Sequence, residues 1–295
     1  MLLDKRIPIS YTFNKVKYDL LYVVIATLVV HYLHKNFAHI IPDMPLTIPA
    51  FLGMAISILL SFKMSQSYER WWEARKVWGA IVNDSRSLII QLQSFLNEKH
   101  IIRKIGFRQI AWCYSLGQSL RGLNPLDKLE HYFEGDDFNQ LSKHNNKPLG
   151  ILQQNAQEIQ TLKFNNHLDI FAQIHLDDTF TRLCDEMGKA ERIKGTIFPQ
   201  TYRLVLHFSI YLFVTILSIA LDNVKIYFQL PLLIVISLIF FLMEKSATYL
   251  QNPFSNTPTD TSVTAIARTI EINIKQLLGE KEIPEPSKSD TFYIL

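Results

Sequence analysis

Two hydrophobic patterns alternate along this chain. Four stretches are apolar at nearly every position: residues 20–33, the front half of 46–75, 204–221 and 226–243. A helix rises about 1.5 Å per residue and a bilayer core is about 30 Å thick, so each stretch with its flanks predicts a membrane-crossing helix. Elsewhere apolar residues return every three or four positions among polar ones. Trp71, Trp72, Val77, Trp78, Ile81 and Val82 do so, then Leu88, Ile89, Leu92 and Leu96, then Ile105, Ile110, Trp112, Leu116 and Leu120. This spacing predicts amphipathic helices. Residues 151–171 and 178–193 continue it, and Ile266, Ile270, Ile274 and Leu278 give residues 263–278 one buried face. No alternation is long enough for a sheet.

The stretch 46–75, LTIPAFLGMAISILLSFKMSQSYERWWEAR, joins the two patterns in one helix, membrane-spanning in front and water-facing behind. Two stripes run up its front half. Gly53, Ser57 and Ser61 recur every four residues, a small-residue helix-packing face that admits a close neighbour. Met54, Ile58 and Phe62 recur with the same spacing and put bulky apolar groups on an adjacent face. Both stripes fit ordinary packing, and the bulky one also fits the lining of a narrow pore.

Four domains follow. Residues 1–65 hold the N-terminal segment and spans 1 and 2, 66–203 a helical cytosolic domain, 204–246 spans 3 and 4, and 247–295 a C-terminal helix and tail. The links are short: residues 36–45 carry two prolines, and 222–225 make a tight hairpin. Residues 125–150, with Gly135, Pro148 and five acids, read as a loop-bearing stretch, and the tail as a segment that wraps a neighbour or stays mobile. Lys and Arg flank the spans in the N-terminal segment, the central block and the exit after residue 243, whereas the short links hold only Lys35 and Lys225. The positive-inside bias then puts both termini and the central block in the cytoplasm, with the spans in the cell inner membrane.

Composition narrows the class. At 48% hydrophobic and 19% charged, the 295-residue chain is too apolar for an ordinary soluble enzyme and too charged for an all-membrane transporter. A net charge of +3 without a basic block argues against nucleic acid as a partner. No phosphate loop, HExxH, GxSxG or CxxC is present, so no catalytic residue, cofactor or metal ligand is assigned, and the chain reads as no enzyme. Asp177 and Asp178 are adjacent and diverge by about 100° on a helix. His31 and His34 share a turn without a third ligand, and Cys113 and Cys184 read as buried thiols. Glu69, Arg70, Glu73 and Arg75 read as solvated or interhelical ion pairs.

The segment SFKMSQSYERWWEARKVWGAIVNDSRSL at residues 61–88, and NPF followed by a spaced Asp at residues 252–260, resemble the bestrophin channels in their bacterial branch. The resemblance covers roughly residues 5–280. It implies an all-α membrane protein that forms a ring-shaped homopentamer, with an axial pore and a long cytosolic vestibule. It sets the family's hydrophobic neck on Met54, Ile58 and Phe62. Through HLDIFAQIHLDD it sets a cytosolic constriction near Phe171, with Ile174 as the fallback. The acidic calcium clasp of the animal members is reduced here to Asp260, which argues against calcium gating. Met54 is longer and more flexible than the branched residue usual in that position.

The expected function is a channel for small monovalent ions, cations such as sodium before anions, with membrane lipids and copies of itself as partners. The alternatives are a chloride or other anion channel of the same fold and a non-conducting membrane scaffold or receptor.

Overall fold

The computed structural model describes residues 1–37 and 44–295, so most of the predicted link 36–45 lies outside the described residues. The helices are α1 Ile9–Phe37, α2 Thr47–Phe95, α3 Lys99–Leu120, α4 Asp137–Leu141, α5 Lys147–Phe164, α6 Ile170–Gly195, α7 Gln200–Ala220, α8 Ile226–Leu250 and α9 Val263–Leu278. Among the described residues the only β pairing is an isolated antiparallel bridge between Leu2 and Tyr293. Helices α1, α2, α7 and α8 are each long and apolar enough to cross a membrane, which makes this a membrane protein. The chain divides into two compact units.

The membrane unit comprises Lys5–Arg70 and Ile197–Gln251. Its interior is built from Val16, Leu20, Ile56, Leu60, Ile210, Phe213, Leu233 and Phe241. Gly53 lies so close to α7 that an added Cβ would stand 3.0 Å from the Phe213 ring, which explains the small residue there. Hydroxyls in the spans bond back onto their own helices. Thr27, Ser57, Ser209, Thr215 and Ser237 donate to the carbonyls of Val23, Gly53, Val205, Tyr211 and Leu233 at 2.5–2.9 Å.

The polar unit comprises Met1–Asp4, Trp71–Thr196 and Asn252–Leu295. Trp78, Ile81, Leu88, Ile89, Leu92, Ile105, Trp112 and Leu116 are fully buried in one core, the faces that the helical spacing predicts. Asn146 caps α5 by accepting from the Leu149 N–H, with Pro148 in the first turn. Gly279 closes α9 at φ +70°, a left-handed position where a side chain would be strained.

Three expectations are corrected. Residues 125–150 carry the expected loops but are well anchored: a one-turn 3-10 helix Glu130–Tyr132 and α4 bury Leu129, Tyr132 and Leu141 in the core. The break between the two central helices falls earlier, at residues 165–169. There Asn166 takes a positive φ of 56° and Asp169 caps the next helix, so Phe171 starts α6 rather than ending α5. Cys184 is exposed, and only Cys113 is buried. The tail folds back on its own unit, with Leu3 N–H donating to Phe292 O and Ala265 N–H to Leu295 O.

Candidate functional site

On α2 the bulky stripe is uncovered in the single chain: Met54 is 65% exposed, Ile58 52% and Phe62 62%. Seven residues beyond Phe62, two helical turns, Glu69 is exposed on the same face, with Ser65 Oγ 3.4 Å from its Oε1. The small stripe splits. Gly53 is buried against Phe213, whereas Ser57 and Ser61 stay exposed.

The opposite face of α2 is held by charge. Lys63 is completely buried and donates to Glu244 Oε1 on α8 at 2.7 Å and to Thr248 Oγ1 at 2.9 Å. Glu244 Oε2 faces His207 Nδ1 on α7 at 3.9 Å. The other ring nitrogen lies 3.1 Å from Tyr211 Oη and 3.6 Å from Asp19 Oδ1 on α1. Tyr211 donates to Asp19 at 2.5 Å, and Lys245 lies 3.5 Å from its second oxygen. This network draws on all four spans. A charge in such a setting is costly unless paired, which accounts for the completeness of the pairing.

Glu244 therefore does more than mark where the fourth span ends, the role its sequence position suggests. Lys63, the one charged residue between Gly53 and Glu69, was the available signal for this site, and its partner 181 residues away was not. His34, on the turn shared with His31, instead meets Asp222 at 2.9 Å.

In the polar unit, Phe171 and Ile174 on the first turns of α6 are 72% and 52% exposed, while Ala172 between them and Leu176 beyond are buried. Asp178 and Asp185 follow at helical spacing on the exposed face of α6. Phe164, Ile90 and Leu123 of the same unit are equally uncovered, so exposure alone does not set this pair apart.

The remaining chemistry is structural. A cleft of about 750 Å³ in the polar unit is lined by Tyr114, Tyr132, Arg268, Glu271 and Lys275 among others. Glu271 accepts from Tyr114 at 2.8 Å and pairs with Lys275 at 2.9 Å and Arg268 at 3.0 Å. Burial alone would push this carboxyl up, yet the hydrogen bonds from Lys275, Tyr114 and Tyr132 hold it below the usual range. Burial, and then the Glu271 carboxylate, push both phenols well above theirs. Burial also pushes the Cys113 thiol up to about 12, so it is no nucleophile at neutral pH. Asp260 is buried and closes its own loop, accepting from Asn256 N–H at 2.5 Å and Thr257 Oγ1 at 2.6 Å. Among the described residues no group of three or more His, Cys, Asp or Glu is arranged to hold a metal ion.

Known proteins are similar to this chain in sequence and fold. The voltage-dependent anion channel-forming protein YneE of Escherichia coli (strain K12) is 31% identical over 247 residues, 83% of this chain and 81% of that one. Voltage-dependent anion channel-forming protein RSc3414 of Ralstonia nicotianae is 24% identical over 275 residues, covering 91% and 89%. The crystal structure of a bacterial bestrophin homolog from Klebsiella pneumoniae superposes with a TM-score of 0.86 at 27% identity, over 90% of this chain and all of that one. The sequence profile of the bacterial and fungal bestrophin proteins matches residues 7–276, and the chain belongs to that family.

Proposed function

We propose that the protein is a homopentameric ion channel of the cell inner membrane, with both termini cytoplasmic, bathed in membrane lipid and passing small monovalent ions. Met54, Ile58 and Phe62 form a hydrophobic neck, and Phe171 with Ile174 a second, cytosolic constriction. Gly53, Ser57 and Ser61 seat α2 against its neighbours. The carrying observation is the two-faced second helix, with three bulky apolar side chains uncovered on one side and a sealed ion pair on the other. Rings of apolar side chains resist wetting and so close a narrow pore without a plug.

Cations are the first reading of the conducted ion. Glu69 two turns beyond Phe62 on α2, and Asp178 one turn beyond Ile174 on α6, set a carboxylate near each candidate constriction. Anions are the second reading, favoured by the names of the curated relatives, each called an anion channel-forming protein.

Planar-bilayer current from the purified protein under a NaCl gradient tests both. A reversal potential near the sodium value is expected, and one near the chloride value selects the second reading. Silence from folded, oligomeric protein would sink conduction and leave a membrane scaffold. Ile58→Ala and Phe62→Ala are each expected to raise unitary conductance about twofold or more by widening the neck. Unchanged conductance in both removes these side chains from the pore.

A further inference from the structure

Phe62 and Lys63 are consecutive on α2, so their side chains diverge by about 100° around the helix. One is 62% exposed and the other is sealed. The direction in which Lys63 is held therefore sets the direction in which Phe62 points. We propose that Lys63 and Glu244 are positioning residues for the neck: their buried ion pair fixes the rotation of α2 that presents Ile58 and Phe62. The inference rests on the neck reading above.

Three observations carry it. The ammonium has two acceptors on two successive turns of α8, Glu244 Oε1 at 2.7 Å and Thr248 Oγ1 at 2.9 Å, which defines an angle as well as a distance. Thr248 in turn donates to Glu244 Oε1 at 2.9 Å, so the receiving carboxylate is itself held. A second tether lies one turn earlier, where Tyr202 of α7 donates to the Leu59 carbonyl at 2.7 Å. That carbonyl sits between Ile58 and Phe62 in sequence. A rotation of α2 that turned Phe62 away would pull Lys63 from its acceptors and leave a buried charge without a partner, which strongly opposes the motion.

The test uses the full-length protein in a Cys184→Ser background, because Cys113 is buried and Cys184 is the exposed thiol. Phe62→Cys is introduced, and its rate of labelling by a maleimide is measured alongside single-channel conductance in the cysteine-free-surface parent. Lys63→Met and Glu244→Gln are each expected to change the labelling rate about tenfold and to alter unitary conductance. The exchanged pair, Lys63→Glu with Glu244→Lys, should bring both back towards the starting values. Thr248→Val keeps the ion pair and should shift both in the same sense by less, and it serves if the single charge variants fail to fold. Folded variants that melt earlier yet label and conduct unchanged would overturn the inference, because the pair would then be structural only. Failure of the exchanged pair to restore either readout would overturn it too. If the parent passes no current in any salt, conduction is lost as a reading, while the labelling comparison still decides whether the pair sets the face.

Discussion

The two units differ most in the side chains they leave uncovered. In the polar unit the sealed interior is mainly apolar, built on Trp78, Trp112, Leu88, Ile89 and Ile105, with Arg108 and Glu271, each ion-paired, also buried, and ion pairs such as Arg103–Glu280 at 2.6 Å lie towards solvent. In the membrane unit Lys63, Glu244, Asp19, Gln229 and Ser237 are sealed, while Leu21, Ile25, Phe208, Val235 and Ile239 are exposed. Water drives apolar groups inward, whereas lipid gives them no such push and penalises unpaired polar groups instead. The same exposed side chain therefore means different things in the two places. Phe171 and Ile174, bare in the polar unit, are costly where they stand, as are Phe164 and Ile90 in that unit. Met54, Ile58 and Phe62 are not, since lipid-facing residues look the same. What singles them out is the polar continuation of their face through Ser65 and Glu69 and the charged anchor behind them.

The contrast can be broken in order of effect. The largest is expected from Trp112→Ala, which empties the centre of the polar unit and should cost about 3–5 kcal/mol in chemical unfolding. Val235→Ala on the bare face of α8 should leave unfolding nearly unchanged, and equal losses would erase the distinction. Next comes acid. The Glu271 carboxyl is lower in the folded protein than its ordinary value of 4.5, so its stabilisation is present above that value and is lost as pH falls through the folded one. Melting temperature should drop over that interval, and Glu271→Gln should flatten the drop; parallel curves would dismiss the carboxylate as its source. The smallest is Phe171→Ala or Ile174→Ala, expected within about 0.5 kcal/mol of the parent in unfolding, as for other surface changes, while altering ion permeation. A loss of core size would mean these side chains are packed.

Most of the helical frame was legible from periodicity. Residues 263–278 show fourfold apolar spacing and form α9 over the same bounds, with Ile270 and Ile274 sealed. The four spans were legible from their length and apolarity. Three features resisted. Residues 125–150 are polar enough to read as loop, but Leu129, Tyr132 and Leu141 anchor them through contacts distant in sequence. The α5–α6 break depends on Asn166 in a left-handed conformation, which no periodicity reveals. The Lys63–Glu244 pair needs two helices 181 residues apart to meet, so a single sequence offers one half of it at a time.

The back-bonded hydroxyls of the spans bear on how the protein is built. Thr27, Ser57, Ser209, Thr215 and Ser237 each have a hydrogen-bond acceptor supplied by the same helix. For these groups each span is self-sufficient on entering the bilayer, before any neighbour arrives. Lys63, Glu244 and Asp19 differ, for their partners come from other spans and are met only when those spans pack together. The spans thus carry two kinds of polar group, one satisfied within its own helix and one satisfied only by the assembled bundle.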